Sequence, residues 1–216
     1  MSPKEPSEIK IKELISFFEK KKFDELLRFS DELLNEFPNS ILIQNIKGVA
    51  YTELKNYKLA KSLFIKVVNL NPKYTDGYYN LANIFSKLDQ EDKAIENYNK
   101  VIKLDNNYYK AHNNLGNIYR KKGLNKKAIE CYFSTLEINS NYKIAYYNLA
   151  GALQFYIINK EQKNINKYLL YLLKEKNIVR PHSIAANILN SLFINTDLKK
   201  NLSLIKNKLP NKDFNY

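Results

Sequence analysis

No disulfide can form within this chain, because Cys131 is its only cysteine among 216 residues, and no metal-ligand spacing surrounds it. Cys131 lies beside an apolar column, so a buried thiol is expected there, not a reactive one. Five glycines and six prolines leave little room for linkers or tight β-turns. No apolar run reaches the roughly 18 residues that a membrane-crossing helix needs. Residues 1–12 alternate charge with proline, so no secretory signal is expected and the chain reads as cytoplasmic. Phosphate-cradling glycine loops and nucleophile motifs are missing. Of the two histidines, His112 shares a column with Tyr78 and Tyr146 and reads as a packed ring. His182 stands at a helix start beside Arg180 and reads as capping or exposed. The acidic pair Glu91-Asp92 falls in a helix first turn, where carboxylates favour the dipole. Nothing here makes a catalytic constellation. No enzyme activity, cofactor, metal or small-molecule substrate is expected.

What the chain does contain is a repeated phrase. Residues 41–74, 75–108 and 109–142 are three consecutive 34-residue copies with matching columns. Gly48, Ala82 and Gly116 share the eighth place, and Tyr51, Phe85 and Tyr119 the eleventh. Ala60, Ala94 and Ala128 share the twentieth; Phe64, Tyr98 and Tyr132 share the twenty-fourth. A small residue between bulky neighbours lets two helix axes approach while the bulky side chains fill the flanking gaps. Each copy therefore reads as a helix hairpin, at about 75–88 and 91–104 in the second copy. Turn chemistry separates the copies at Asn71-Pro72 and Asp105-Asn106-Asn107. One hairpin cannot bury its apolar face alone; stacked hairpins can.

The pattern resembles the tetratricopeptide repeat, whose signature runs aromatic, Leu, Gly/Ala, Tyr, Ala, Phe, Ala, Pro. In the second copy those places hold Tyr78, Leu81, Ala82, Phe85, Ala94, Tyr98, Val101 and Asn106. In the third they hold His112, Leu115, Gly116, Tyr119, Ala128, Tyr132, Thr135 and Ser140, and among the three copies only Pro72 keeps the closing proline. The resemblance implies an all-α, right-handed superhelical solenoid of antiparallel helix pairs that binds ligands on a concave side lined by first helices.

Extending the register outward gives the expected organisation. Residues 1–7 are a frayed N-terminus, and 8–40 form a divergent first pair with Leu14 at the small place and Pro38 at its end. The clear copies follow at 41–74, 75–108 and 109–142, then a degenerate fifth pair at 143–176 that slips register after Gln154. Helices over 177–209 would cap the stack, leaving 210–216 as a tail.

The candidate site is a row of carboxamides. Asn80, Asn114 and Asn148 share the sixth place, and Asn83 and Asn117 the ninth. Residues three apart share a helix face, and the period repeats that face. Such a row offers donors and acceptors suited to the backbone of an extended peptide, and it resembles the asparagine ladder of the repeat domain in protein O-GlcNAc transferase. Asn45, Asp76, Tyr79, Lys87, Lys110, Asn113, Arg120, Lys121 and Tyr147 complete the expected groove. The alternative role for the asparagines is mutual satisfaction along the stack. The basic clamp of co-chaperone members is not expected, because the fifth places read Ile11, Asn45, Tyr79 and Asn113.

Net charge is +13, and residues 109–216 carry eighteen basic against six acidic side chains. A solvated lysine-rich surface accounts for this, and binding of nucleic acid or an acidic partner is a third reading. The leading expectation is a non-catalytic scaffold that binds another protein or an extended peptide. The second makes the chain the recruiting arm of a glycosyl-, sulfo- or methyltransferase whose catalytic domain lies elsewhere.

Overall fold

The computed structural model describes residues 5–153. Expectations for 1–4, for the rest of the fifth pair, for the 177–209 cap, for the 210–216 tail and for His182 lie outside the described residues. Among the described residues there are nine helices and no strand. They are α1 (Glu8–Glu19), α2 (Phe23–Glu36), α3 (Ile41–Glu53), α4 (Tyr57–Leu70), α5 (Thr75–Lys87), α6 (Glu91–Leu104), α7 (Tyr109–Lys121), α8 (Asn125–Ile138) and α9 (Lys143–Leu153).

Both kinds of connection repeat with the sequence. Within each hairpin the turn is closed by one residue in the left-handed region: Lys21, Lys55, Asp89 and Gly123, with φ of 55°, 58°, 54° and 74°. These four share the fifteenth place of the phrase. Only the last uses glycine, the residue for which that conformation is cheap. Between hairpins, the side chains of Asn71, Asp105 and Asn139, again 34 apart, accept from the backbone N–H two residues on at 2.9–3.1 Å. Short polar side chains that mimic a backbone turn stop the preceding helix there.

The chain divides into two compact units, 1–111 and 112–216, each with its own interior. In the first, Leu14, Leu26, Leu33, Phe37, Ile43 and Ala50 form one buried cluster, flanked by Phe17, Phe18, Phe23 and Phe29. Full burial of each large side chain contributes about 1.5–3 kcal/mol. The eighth-place glycine explains the close fit of α3 on α4: a Cβ on Gly48 would lie 2.6 Å from a ring carbon of Phe64. Lys47 is 8% exposed, and its ammonium is held by the Asp31 carboxylate from α2. The segment before α1 differs from the frayed expectation from Glu5 onward. The Glu5 carboxylate accepts the Ile41 N–H at 2.8 Å and contacts the Ser40 hydroxyl, placing a negative charge on the N-terminus of α3.

In the second unit Ala128, Ile129, Tyr132 and Leu136 of α8 pack with Ala145, Tyr146, Leu149 and Leu153 of α9. Gly116 repeats the Gly48 arrangement, its notional Cβ 2.6 Å from a ring carbon of Tyr132.

Candidate functional site

In the first unit the carboxamides of α3 and α5 meet. Asn80 donates its side-chain N–H to Asn45 Oδ1 at 2.9 Å, and both side chains are half-buried. The pairing runs from the fifth place of one first helix to the sixth place of the next. Beside it Tyr79 packs with the rings of Tyr108 (4.9 Å between centroids) and Tyr98 (6.1 Å). The Tyr108 hydroxyl donates to Asp76 Oδ1 at 2.8 Å. Burial, and then that carboxylate, hold the hydroxyl well above the usual phenol range, so it keeps its proton at neutral pH. Lys87 and Lys110 are exposed, with the Lys110 ammonium 6.0 Å from the Tyr109 ring.

In the second unit the same register recurs. Asn148 donates to Asn113 Oδ1 at 2.9 Å, and Asn113 donates to Asn114 Oδ1 at 3.2 Å. Asn113 is 2% exposed, so its part is to connect Asn148 with Asn114, inside the wall of the expected groove. Tyr147 is 48% exposed on the same helix as Asn148. Arg120 and Lys121 are exposed at the end of α7, and the Arg120 guanidinium reaches α9, 3.2 Å from where a Cβ on Gly151 would lie. His112 is buried, as a packed ring requires. Burial, reinforced by Glu130, pushes the Cys131 thiol up to about 12, so it is protonated at neutral pH.

The ninth-place asparagines have a different task from the sixth-place ones. The Tyr98 hydroxyl donates to Asn83 Oδ1 at 2.5 Å, and the Tyr132 hydroxyl donates to Asn117 Oδ1 at 2.8 Å. Each ties the first helix of a hairpin to the second. The signal for this was present in the columns. Where the twenty-fourth place is Phe64, which has no hydroxyl, the ninth place is Val49, which has no acceptor. Tyrosine and asparagine enter together in the next two copies.

One further feature escaped the columns. Ile15 and Phe18 of α1 with Asn45, Ile46 and Val49 of α3 line an apolar cleft of about 130 Å³ next to the Asn45–Asn80 pair. Ile15 lies in helical register with the core residues Ile11 and Leu14, yet it is exposed at this rim. Among the described residues no group of three or more His, Cys, Asp or Glu side chains could hold a metal ion.

Antiparallel helices of 11–14 residues, paired at a constant interval with a small residue (Gly48, Ala82, Gly116) at the crossing in three successive pairs, define a helical-hairpin repeat. Tetratricopeptide repeat profiles match residues 43–74, 63–96, 90–123 and 109–142. The chain is a tetratricopeptide repeat protein. No curated protein sequence matches it. Among solved structures it is similar to MamA, with 24% identity and a TM-score of 0.65 over 78% of this chain and 90% of that one. It is also similar to YrrB, described as a tetratricopeptide repeat protein with an unusual peptide-binding site, with 18% identity, a TM-score of 0.59 and 93% and 92% coverage. A third likeness is to the first repeat domain of Spaghetti (RPAP3) bound to an HSP90 peptide, with 23% identity, a TM-score of 0.51 and 53% and 91% coverage. At these identities the likeness is one of fold.

Proposed function

We propose that this chain is a non-catalytic scaffold that binds a partner protein as an extended peptide along its first helices. The observation that carries the reading is the recurrent fifth-to-sixth-place carboxamide pair, Asn45–Asn80 and Asn113–Asn148. An amide side chain has two donors and an acceptor with two lone pairs. One mutual hydrogen bond orients each pair and leaves further N–H and C=O capacity on Asn45, Asn80 and Asn148 for the main chain of a ligand. Rings beside it, Tyr79 in the first unit and Tyr147 in the second, add contact area at low conformational cost. The YrrB and RPAP3 likenesses support the reading, since their descriptions name peptide binding. Unlike a carboxylate clamp, this arrangement reads backbone amides, because no fifth place of the clear copies carries a cation. The proposed contact residues are Asn45, Asp76, Tyr79, Asn80, Lys87 and Lys110 in the first unit and Asn114, Arg120, Lys121, Tyr147 and Asn148 in the second. Asn83, Asn113 and Asn117 support the wall behind them.

The test uses a peptide selected by display against the full chain. Asn45→Ala with Asn80→Ala removes two ligand hydrogen bonds of about 1 kcal/mol each, a roughly thirtyfold weaker Kd, with helicity retained. Unchanged affinity in the double variant overturns the role of the pair.

A further inference from the structure

The carboxamide columns change character toward the start of the chain. The sixth place reads Lys12, Ile46, Asn80, Asn114 and Asn148, and the ninth reads Ile15, Val49, Asn83, Asn117 and Gly151. The apolar members of these columns, Ile15, Ile46 and Val49, come together: with Phe18 and Asn45 they line the cleft of about 130 Å³ between α1 and α3. Its floor is preformed. The Phe18 ring packs edge-on against Phe23 at 5.8 Å between centroids, and Ile46 packs against the buried cluster of Leu14 and Leu26. Ile15 forms the rim and is 42% exposed. A lone exposed isoleucine is ordinary on a protein surface. This one shares a concavity with three further apolar side chains, a place that holds water poorly and an apolar group well.

Asn45 decides what enters. It is the polar residue of the lining and also a member of the Asn45–Asn80 pair, so the cleft and the pair are continuous. Their mutual bond uses Asn45 Oδ1 and leaves the Asn45 Nδ2 group outside it. An occupant that meets both needs a hydrogen-bond acceptor close to an apolar group, as a peptide has in a main-chain carbonyl and its side chain. Size limits the apolar group. A closed apolar cavity of about 150 Å³ takes one benzene-sized molecule, so this cleft takes one side chain, not the several anchors of an amphipathic helix. Lys12, one turn before Ile15, and Lys47, beside Ile46, are ion-paired with Glu8 and Asp31, which disfavours the carboxylate of a fatty acid at the mouth. We infer that the cleft reads sequence: it takes one leucine-, methionine- or phenylalanine-sized side chain of the extended peptide whose main chain meets Asn45 and Asn80. The anchor rests on the scaffold role proposed above and sharpens it, because carboxamides alone accept any sequence.

The probe is a random dodecapeptide library displayed on phage and selected against the full chain. Selected peptides share one large apolar residue at a fixed position, and its replacement by alanine weakens Kd on the order of tenfold. Ile15→Ser, at an exposed position, and Val49→Asn, which copies the ninth place of the next two repeats, weaken the parent peptide by a similar factor. Both leave the alanine peptide nearly unchanged and match the circular dichroism of wild type. If Val49→Asn loses helicity, Ile15→Ser and the comparison of the two peptides on wild type carry the test. Equal binding of parent and alanine peptides to wild type overturns the anchor, as does an alanine effect that is the same in wild type and in Ile15→Ser. The double variant Asn45→Ala, Asn80→Ala separates the two roles, since it weakens both peptides alike. A loss there with no effect of Ile15→Ser removes the cleft alone, whereas no loss there with the Ile15 coupling intact removes the backbone role alone. Dimerisation of the free chain that Ile15→Ser abolishes reassigns the cleft to a second copy and also overturns the peptide anchor.

Discussion

The tie between Tyr132 and Asn117 gives the sharpest test of how these hairpins are held. The two residues are 15 apart, the hydroxyl is 2.8 Å from the carboxamide oxygen, and Tyr132 is fully buried. Asn117→Val leaves the hydroxyl without that acceptor inside the hairpin, which costs about 1–3 kcal/mol. Tyr132→Phe keeps the ring against Gly116 and removes the hydroxyl, and with it both the donor to Asn117 and the hydrogen bond to the Arg120 side chain. The half-buried Asn117 oxygen can then recruit water, so the loss is smaller, about 1 kcal/mol. The double variant recreates the Val49 and Phe64 pairing of the 41–74 copy, in which neither partner is polar. It should therefore be more stable than the sum of the single losses implies, with a coupling of about 1–2 kcal/mol. The helix-propensity cost of valine appears in both the single and double variants and cancels in the cycle. Urea unfolding of the four full-length proteins, followed by far-ultraviolet circular dichroism, measures this directly. Additivity within about 0.3 kcal/mol would refute the lock.

Two other outcomes follow from the same hairpin. Gly116→Ala forces a Cβ to within 2.6 Å of the Tyr132 ring, whose hydroxyl anchors it against sliding. The expected loss is about 1–3 kcal/mol, more for Gly116→Leu, and unchanged thermal stability would contradict the close approach. Burial holds the Tyr132 hydroxyl up to about 12 against an ordinary 10.0. The folded chain therefore keeps this proton more tightly. That stabilisation is complete below pH 10.0 and is lost as pH rises through about 12. The stability gap between wild type and Tyr132→Phe should narrow over that window; a constant gap counts against the buried donor.

Much of the fold was legible because the period places each small residue opposite a fixed bulky one. Gly48 with Phe64 and Gly116 with Tyr132 could be paired from their columns alone, and the structure brings each pair into contact. The left-handed turn place was not legible: lysine and aspartate occupy it at 21, 55 and 89, so residue type carries no signature there. The docking of Glu5 onto Ser40 and Ile41 is a long-range contact between a terminal segment and a helix start, which no local pattern encodes. The asparagine row was legible as a pattern but not as a set of roles. Two sixth-place members, Asn80 and Asn148, meet fifth-place carboxamides on a neighbouring first helix, and Asn114 accepts from Asn113 of its own helix, while the ninth-place members turn inward to a tyrosine. Composition could not separate the two, because each is the same residue on the same helix face. Comparing the ninth and twenty-fourth columns would have done so.

The most direct measurement is hydrogen–deuterium exchange on the full chain with and without a display-selected peptide. New protection is expected on the first helices, α3 and α5 in one unit and α7 and α9 in the other, with little change in α4, α6 and α8. Protection confined to the second helices, with the first helices unchanged, would contradict ligand binding along the carboxamide-bearing face.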